Sequence, residues 1–428
     1  MPFELQAGVL SADGVALDAV ARAVGTPLYV YSASAMEERL ERFRAAVPDG
    51  SLVAFAVKAN PNLGVIATLA RRGAGADVVS GGELLRATTA GVDPKRIVFS
   101  GVGKTLAEIE QALRLGICQL NAESEPELEM ISAVAERLGT TAPVALRVNP
   151  EVVAGTHDKI STGRREDKFG IPIARAGSAA ALAASLPGLR LQGLALHIGS
   201  QLTRLPPFEA AFATLLALAA ELRAAGHAIE TLDLGGGVGV PYVPGEPPPP
   251  PIEDYGALVR RLFAGDPGRL IFEPGRFLVA EAGVLLAQVI LVKEGADRRF
   301  VVIDAAMNDL MRPTLYGAFH HIRAVRPRGG TIVADIVGPA CETGDTFGRE
   351  RDMDQVGSGD LVAIMTAGAY GATMASTYNS RALVPEVLLK DGRWAVVAER
   401  VLPERMIALE SVPDWLREPA PAAQANAA

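Results

Sequence analysis

From about residue 28 to about residue 275, short Val/Ile/Leu-rich runs alternate with Ala/Leu/Arg/Glu-rich stretches of helical period, and this alternation restricts the fold more than any other feature of the chain. Strand candidates fall at 27–31, 52–57, 76–79, 97–99, 119–122, 145–148, 191–197, 231–234 and 271–272, with helical stretches between them. Runs that are apolar throughout suit parallel strands covered on both faces, and their number fits an eight-stranded (β/α)8 TIM barrel better than an open sheet, with one candidate in excess.

A chain of 428 residues is too long for one ordinary core. After about residue 280 the texture changes to longer alternating strands at 284–292, 300–304, 331–337, 361–365 and 394–398, joined by Gly, Pro and Asp turns, which reads as an all-β domain. The strand-like pieces at 3–6 and 14–16 have no helix of their own and are expected to join it. The expected organisation is therefore 1–28 joining the β-domain, 29–280 the barrel, 281–418 the C-terminal β-domain and 419–428 a disordered Ala/Pro-rich tail. The proline-rich stretch 244–251 suits an exposed loop near the barrel mouth.

A net charge of -8 without a basic run argues against a nucleic-acid surface. The two cysteines, Cys118 and Cys341, are far apart, so a disulfide framework is not expected and a reducing compartment is. The first ten residues do not read as a secretory signal, and no apolar run reaches the roughly 20 residues a membrane helix needs. The expectation is a cytoplasmic enzyme with no membrane, no nucleic acid and no metal among its partners.

Lys58 closes the apolar strand 52–57 and is followed at once by Ala59-Asn-Pro-Asn62, where Pro61 removes a backbone donor and turns the chain out of the sheet. In a parallel barrel this is the catalytic end, where a partly desolvated lysine can lose its proton and attack a carbonyl, the first requirement of Schiff-base chemistry. Read alone, it fits better a lysine that caps a strand and reaches for water. The run Leu234-Gly-Gly-Gly-Val-Gly239 fits a phosphate-binding turn or a plain tight turn. His197, opening Ile198-Gly-Ser-Gln201, offers a flat ring to stack on an aromatic cofactor and a neighbouring hydroxyl at Ser200, although a lone histidine is more often structural. Glu273-Pro274-Gly275-Arg276 places a carboxylate and a guanidinium within one turn: an ion pair at a domain junction, or a partner for a pyridine nitrogen beside a fork for a substrate carboxylate. Cys341-Glu342-Thr-Gly-Asp345 could be inert, or could supply a proton donor and an ammonium-binding carboxylate. Tyr370 between glycines, with Arg312 and Tyr316, adds two phenols and a second guanidinium suited to a multiply anionic substrate.

Taken in order, Phe55-Ala-Val-Lys-Ala-Asn-Pro61, His197-Ile-Gly-Ser-Gln201, Gly235-Gly236-Gly237, Glu273-Pro-Gly-Arg276, Cys341-Glu-Thr-Gly-Asp345 and Gly368-Ala-Tyr370 resemble the signature segments of the diaminopimelate decarboxylases. This family belongs to the alanine-racemase-like barrel class of pyridoxal-phosphate enzymes. The stretch from Arg147-Val-Asn-Pro150 through Thr156-His157 and Thr162-Gly163 to Lys168-Phe-Gly170 also looks like the family's own, unlike that of ornithine or arginine decarboxylases. The resemblance implies pyridoxal 5'-phosphate held by Lys58 as a Schiff base, with Asp77 near that lysine. It further implies His197 on the ring, Ser200 and Gly235, Gly236 and Gly237 on the phosphate, and Glu273 at the ring nitrogen. Pro274, Gly275, Arg276 and Tyr370 complete the cofactor site. Arg276, Arg312, Tyr316, Glu342 and Tyr370 are implied in substrate binding, and Cys341 as the proton donor. In this family Cys341 and Glu342 come across a homodimer interface. The implied reaction converts meso-2,6-diaminoheptanedioate to L-lysine and carbon dioxide, the last step of lysine biosynthesis. A decarboxylase of another diamino acid or carboxy-polyamine would keep every cofactor residue. A racemase of the same fold fits less well, since a carboxylate at the ring nitrogen makes a deep electron sink. A non-catalytic cofactor-binding protein would be expected to lack the β-domain cysteine motif.

Overall fold

The computed structural model describes residues 2–152 and 166–417. Eight parallel strands, Leu52–Ala56, Gly75–Val78, Ile97–Phe99, Gln119–Ala122, Ala142–Asn149, Leu189–Ala195, Thr231–Asp233 and Arg269–Phe272, form a ring. The ring closes where Ile271 and Phe272 pair with Leu52 and Val53. Short polar caps start the helices between strands: Ser80 accepts from the Glu83 N–H at 3.2 Å, and Thr105 and Glu108 form a reciprocal capping box. The barrel strands are buried almost end to end, as expected for a parallel sheet covered by helices. Among the described residues no helix is long and apolar enough to cross a membrane.

The ninth strand candidate belongs elsewhere. Leu28–Ser32 pairs antiparallel with Gly283–Glu294 and parallel with Glu386–Lys390, so it lies in the second, mixed sheet. Its pattern could not reveal this, because it is wholly buried and leads straight into the helix Ala33–Ala46, just as a barrel strand would. Its phenols identify the surroundings: Tyr29 donates to the Asp309 carbonyl at 2.6 Å and Tyr31 to the Glu386 carboxylate at 2.6 Å.

The second sheet runs Thr346–Asp354, Thr331–Val337, Arg299–Ile303, Gly283–Glu294, Leu28–Ser32, Glu386–Lys390 and Arg393–Ala398. Leu361–Ile364 adds to Gly283–Glu294 and to Ile322–Ala324. At the N-terminus Glu4–Gln6, Val9–Ala12 and Val15–Ala16 form a small sheet, where the Leu10 N–H donates to the Val325 carbonyl at 2.8 Å. Leu10 and Leu17 share a cluster with Val284, Leu286 and Val387.

Two hydrogen bonds, one from backbone and one from the Asn60 side-chain amide, bring this second sheet's turns to the barrel mouth. The Tyr370 N–H donates to the Ala59 carbonyl at 2.8 Å and Asn60 donates to the Gly368 carbonyl at 3.0 Å. Gly368 is required there: a Cβ would sit 2.0 Å from the Val279 carbonyl oxygen.

Candidate active site

Lys58 lies on a single 3-10 turn, Val57–Ala59, immediately after the first barrel strand. Its Nζ is 2.5 Å from Asp77 Oδ2, at the end of the neighbouring strand. Asp77 is fully buried and its Oδ1 has no hydrogen-bond partner among the described residues. Burial pulls the lysine pKa down, but the Asp77 and Glu273 charges outweigh it and the net shift is upward. Pairing with Asp77 thus favours the ammonium and opposes the proton loss that desolvation by itself would promote.

His197 follows the sixth strand, and its Nδ1 accepts from the Gly236 N–H at 3.2 Å. Burial first, then the positive charges of Arg147 and Lys58, push its pKa well below the usual range. The ring is thus neutral, with its proton on Nε2. The glycine turn is threaded between two other loops: a Cβ on Gly236 would lie 2.2 Å from the Glu273 carbonyl oxygen, and one on Gly237 would lie 2.6 Å from the Gly199 carbonyl oxygen. Asp233 Oδ1 anchors the turn by accepting from the Gly235 N–H at 3.0 Å.

Glu273 directly follows the eighth strand, buried, with Ser100 Oγ donating to its Oε1 at 3.3 Å. Burial first, then the Asp233 and Asp77 charges, raise its pKa well above the carboxylate range, and burial raises Asp233 to about 6. Asn121 ties the cluster together, donating to Asp233 Oδ2 at 3.0 Å and to Ser100 Oγ at 3.1 Å. A cationic ring nitrogen facing Glu273 would relieve this crowding of carboxyl groups.

Lys58, Ser100, Asn121, His197 and Glu273 line one cavity of about 850 Å³ with Arg147, Ser200, Arg276, Arg312, Tyr316 and Tyr370. Arg276 donates to the Tyr242 hydroxyl at 2.7 Å and to Ser200 Oγ at 3.0 Å, and its guanidinium stacks 4.8 Å over the Tyr370 ring. Tyr242, Val243, Glu246, Pro247 and Pro249, at the start of the proline-rich stretch, form part of the wall. Of the segment from Arg147 to Gly170, Arg147 and Phe169 line the cavity, with the guanidinium 5.0 Å from the ring centroid. Thr156, His157, Thr162 and Gly163 lie outside the described residues, as does the tail from 419.

Cys341 and Glu342 are not brought to this cavity within one chain. Cys341 is exposed, its N–H donating to Asn379 Oδ1 at 3.3 Å, and Glu342 lies beside Tyr378 and lines a separate groove with Thr343 and Asp345. Sequence reasoning missed Asp233, Asn121, Ser100, Tyr242 and His320. The first three carried a legible signal, since each is a polar residue in or just after an apolar barrel strand. Tyr242 and His320 carried none beyond nearness to the glycine turn and to Tyr316.

The donor set fits pyridoxal phosphate. A lysine amine paired with a carboxylate that can take its proton faces the place of the aldehyde, and a buried carboxyl cluster that of the ring nitrogen. A neutral imidazole can lie against its face, and a glycine turn beside Ser200 can receive its phosphate. Residues 33–280 match the family model of the pyridoxal-dependent decarboxylase, pyridoxal binding domain. The chain is 53% identical to the diaminopimelate decarboxylase of Zymomonas mobilis over 97% of its own length and 100% of that protein's. It is 50% identical to that of Vibrio cholerae, covering 95% and 97% respectively. The crystal structure of diaminopimelate decarboxylase from M. jannaschii in co-complex with L-lysine superposes with a TM-score of 0.93 at 38% identity, covering 97% of this chain and 99% of that one. With a closed parallel barrel, a mixed second sheet and likeness over nearly its whole length, the chain belongs to the diaminopimelate decarboxylase family of pyridoxal-phosphate-dependent enzymes.

Proposed function

We propose that the chain decarboxylates meso-2,6-diaminoheptanedioate at its D-configured centre, releasing carbon dioxide and L-lysine. The observation that carries this reading is the content of one cavity: the Lys58 ammonium paired with Asp77, the buried Glu273 carboxyl, and two buried guanidiniums, Arg276 and Arg312. The M. jannaschii relative was crystallised with L-lysine, the compound the reaction would release. Bound in this cavity, pyridoxal phosphate supplies an electron sink for the carbon that loses its carboxylate.

The chain's own groups divide the remaining work. Asp77 holds the Lys58 nitrogen in place until cofactor or substrate takes over. Glu273, made basic by burial and by Asp233, keeps a proton on the ring nitrogen. His197, neutral and fixed through Nδ1, presents a flat face, while Ser200 and Gly235 to Gly237 receive the phosphate. Arg276, Arg312 and Tyr316 bind the carboxylate at the end of the substrate that does not react. Cys341, contributed by a second copy in a homodimer, returns a proton to the substrate carbon, and Glu342 binds the distant ammonium. A reaction of this kind in an oxidant-free compartment suits a cytoplasmic enzyme with a free thiol.

The direct test is carbon dioxide release from meso-2,6-diaminoheptanedioate with added pyridoxal phosphate, run beside ornithine, arginine and a carboxy-polyamine. Release from the first alone, with lysine formed in equal amount, is the expected result. Release only from another substrate would keep the cofactor assignments and overturn the substrate.

A further inference from the structure

The two buried guanidiniums on the cavity wall are held by different contacts. Arg276 is fixed by the Tyr242 hydroxyl and Ser200. Arg312 sits with its guanidinium carbon 4.7 Å from the centroid of the same Tyr242 ring, a contact that limits sliding across the face but leaves rotation in its plane open. Rotation is stopped by His320: Arg312 Nη1 and His320 Nε2 are 2.8 Å apart, and both residues are buried. His320 Nδ1 is 2.9 Å from the Met365 carbonyl oxygen, and Tyr242 meets the imidazole edge-on at 5.3 Å between centroids.

The chemistry of these partners leaves one state for the imidazole. A carbonyl only accepts, so Nδ1 carries a proton; a guanidinium only donates, so Nε2 carries none. Each contact, taken separately, demands the same neutral tautomer. A protonated ring would aim an N–H at Arg312 and add a third positive charge beside Arg276 and Arg312, and burial with the Arg312 charge keeps the His320 pKa down to about 3.

We propose that His320 is a positioning residue for substrate selection. By accepting from Arg312 Nη1 while tied to the strand end at Met365, it sets the orientation in which Arg312 reads the carboxylate of the non-reacting end. The inference deepens the proposed function and rests on its assignment of Arg312 to that carboxylate. Its consequence is that His320 governs recognition of ligands bearing that carboxylate and leaves the reacting end untouched. Losing a charge-assisted acceptor for a buried guanidinium should weaken carboxylate recognition by about tenfold to a hundredfold.

The experiment compares cofactor-loaded wild type with H320L, which has no acceptor, and H320Q, whose amide can both donate to Met365 and accept from Arg312. H320N, too short to span the two, is the second test if H320L does not fold. Calorimetric binding of L-lysine is measured beside 1,5-diaminopentane, which lacks the carboxylate, together with KM and kcat for meso-2,6-diaminoheptanedioate. The expected result for H320L or H320N is weakened lysine binding with diamine binding unchanged, KM raised in proportion and kcat within about threefold, and near wild-type values for H320Q. Unchanged lysine binding in H320L or H320N, or an equal loss for both ligands, overturns the proposal. R312A in the same assay separates the two levels. If R312A loses lysine selectivity and H320L and H320N do not, only the role of His320 falls. If R312A keeps that selectivity, the assignment of Arg312 falls and the inference with it.

Discussion

Lys58 shows how a single side chain is governed by what its neighbours do with charge. Burial and the Asp77 carboxylate act on it in opposite directions, and the carboxylate, with Glu273 behind it, prevails. K58A should bind pyridoxal phosphate only weakly and lose essentially all turnover, read as loss of the visible absorbance of lysine-bound cofactor and of carbon dioxide release. In D77N the burial effect is left less opposed, so the amine should titrate at lower pH, measured in the cofactor-free protein as an earlier onset of Lys58 labelling by an amine reagent. Asp233 supplies a pH dependence of stability with a definite sign. Its folded pKa of about 6 lies above the ordinary 3.8, so between those values the folded chain keeps a proton that the unfolded chain has released. Stability is therefore full below the lower value, falls as pH rises through the window and is level above it; the raised Glu273 acts in the same direction. In cofactor-free protein, D233N should begin less stable, because an amide at that place meets the Asn121 amide, yet show a flatter decline in thermal midpoint from pH 4 to pH 7. A decline as steep as wild type would mean that Asp233 is not the titrating group.

Elements carry these side chains into place, and here the limits of pattern reading can be traced. The run 52–57 ending in Lys58 and the run ending in Glu273 are legible as barrel strands, because an apolar stretch of strand length followed by a sharp break is too short for a buried helix and too apolar for a loop. The run at Leu28–Ser32 has the same local texture yet lies in the other sheet, since which sheet a fully buried strand joins is decided by partners more than 250 residues away. Cys341 and Tyr370 are legible as chemistry, but nothing local says that one reaches the Lys58 mouth within its own chain and the other does not. Tyr370 is delivered there by a turn with left-handed backbone, φ 55°, that passes the barrel at Gly368. G368A would force its Cβ against the Val279 carbonyl. It should cost about 2–4 kcal/mol, seen as a lowered thermal midpoint, and should also weaken cofactor binding, because Tyr370 is displaced with the turn.

At the scale of the whole molecule, the Lys58 cavity and the Cys341-Glu342 pair stand apart within one chain. The cavity that contains Lys58, Glu273 and both guanidiniums has no thiol on its wall among the described residues, whereas Cys341 stands exposed on the second domain. A lone exposed thiol beside Glu342 has no work to do in a monomer. If two copies face each other so that each second domain closes the other's barrel mouth, both cavities gain a proton donor. The arrangement can be read without a structure of the pair. C341A should keep its cofactor absorbance and lose most turnover, and K58A should lose both. Mixed under conditions that exchange subunits, these two inactive proteins would form some mixed pairs in which one cavity has both residues intact and the other has neither. With equal amounts and random pairing, about a quarter of all cavities become complete, so activity should rise from near zero toward about a quarter of wild type. The same mixture kept from exchanging should stay inactive, which separates complementation from residual activity of either variant. No recovery after demonstrated exchange would return Cys341 to the role of a surface thiol and require a proton donor from within the Lys58 cavity itself.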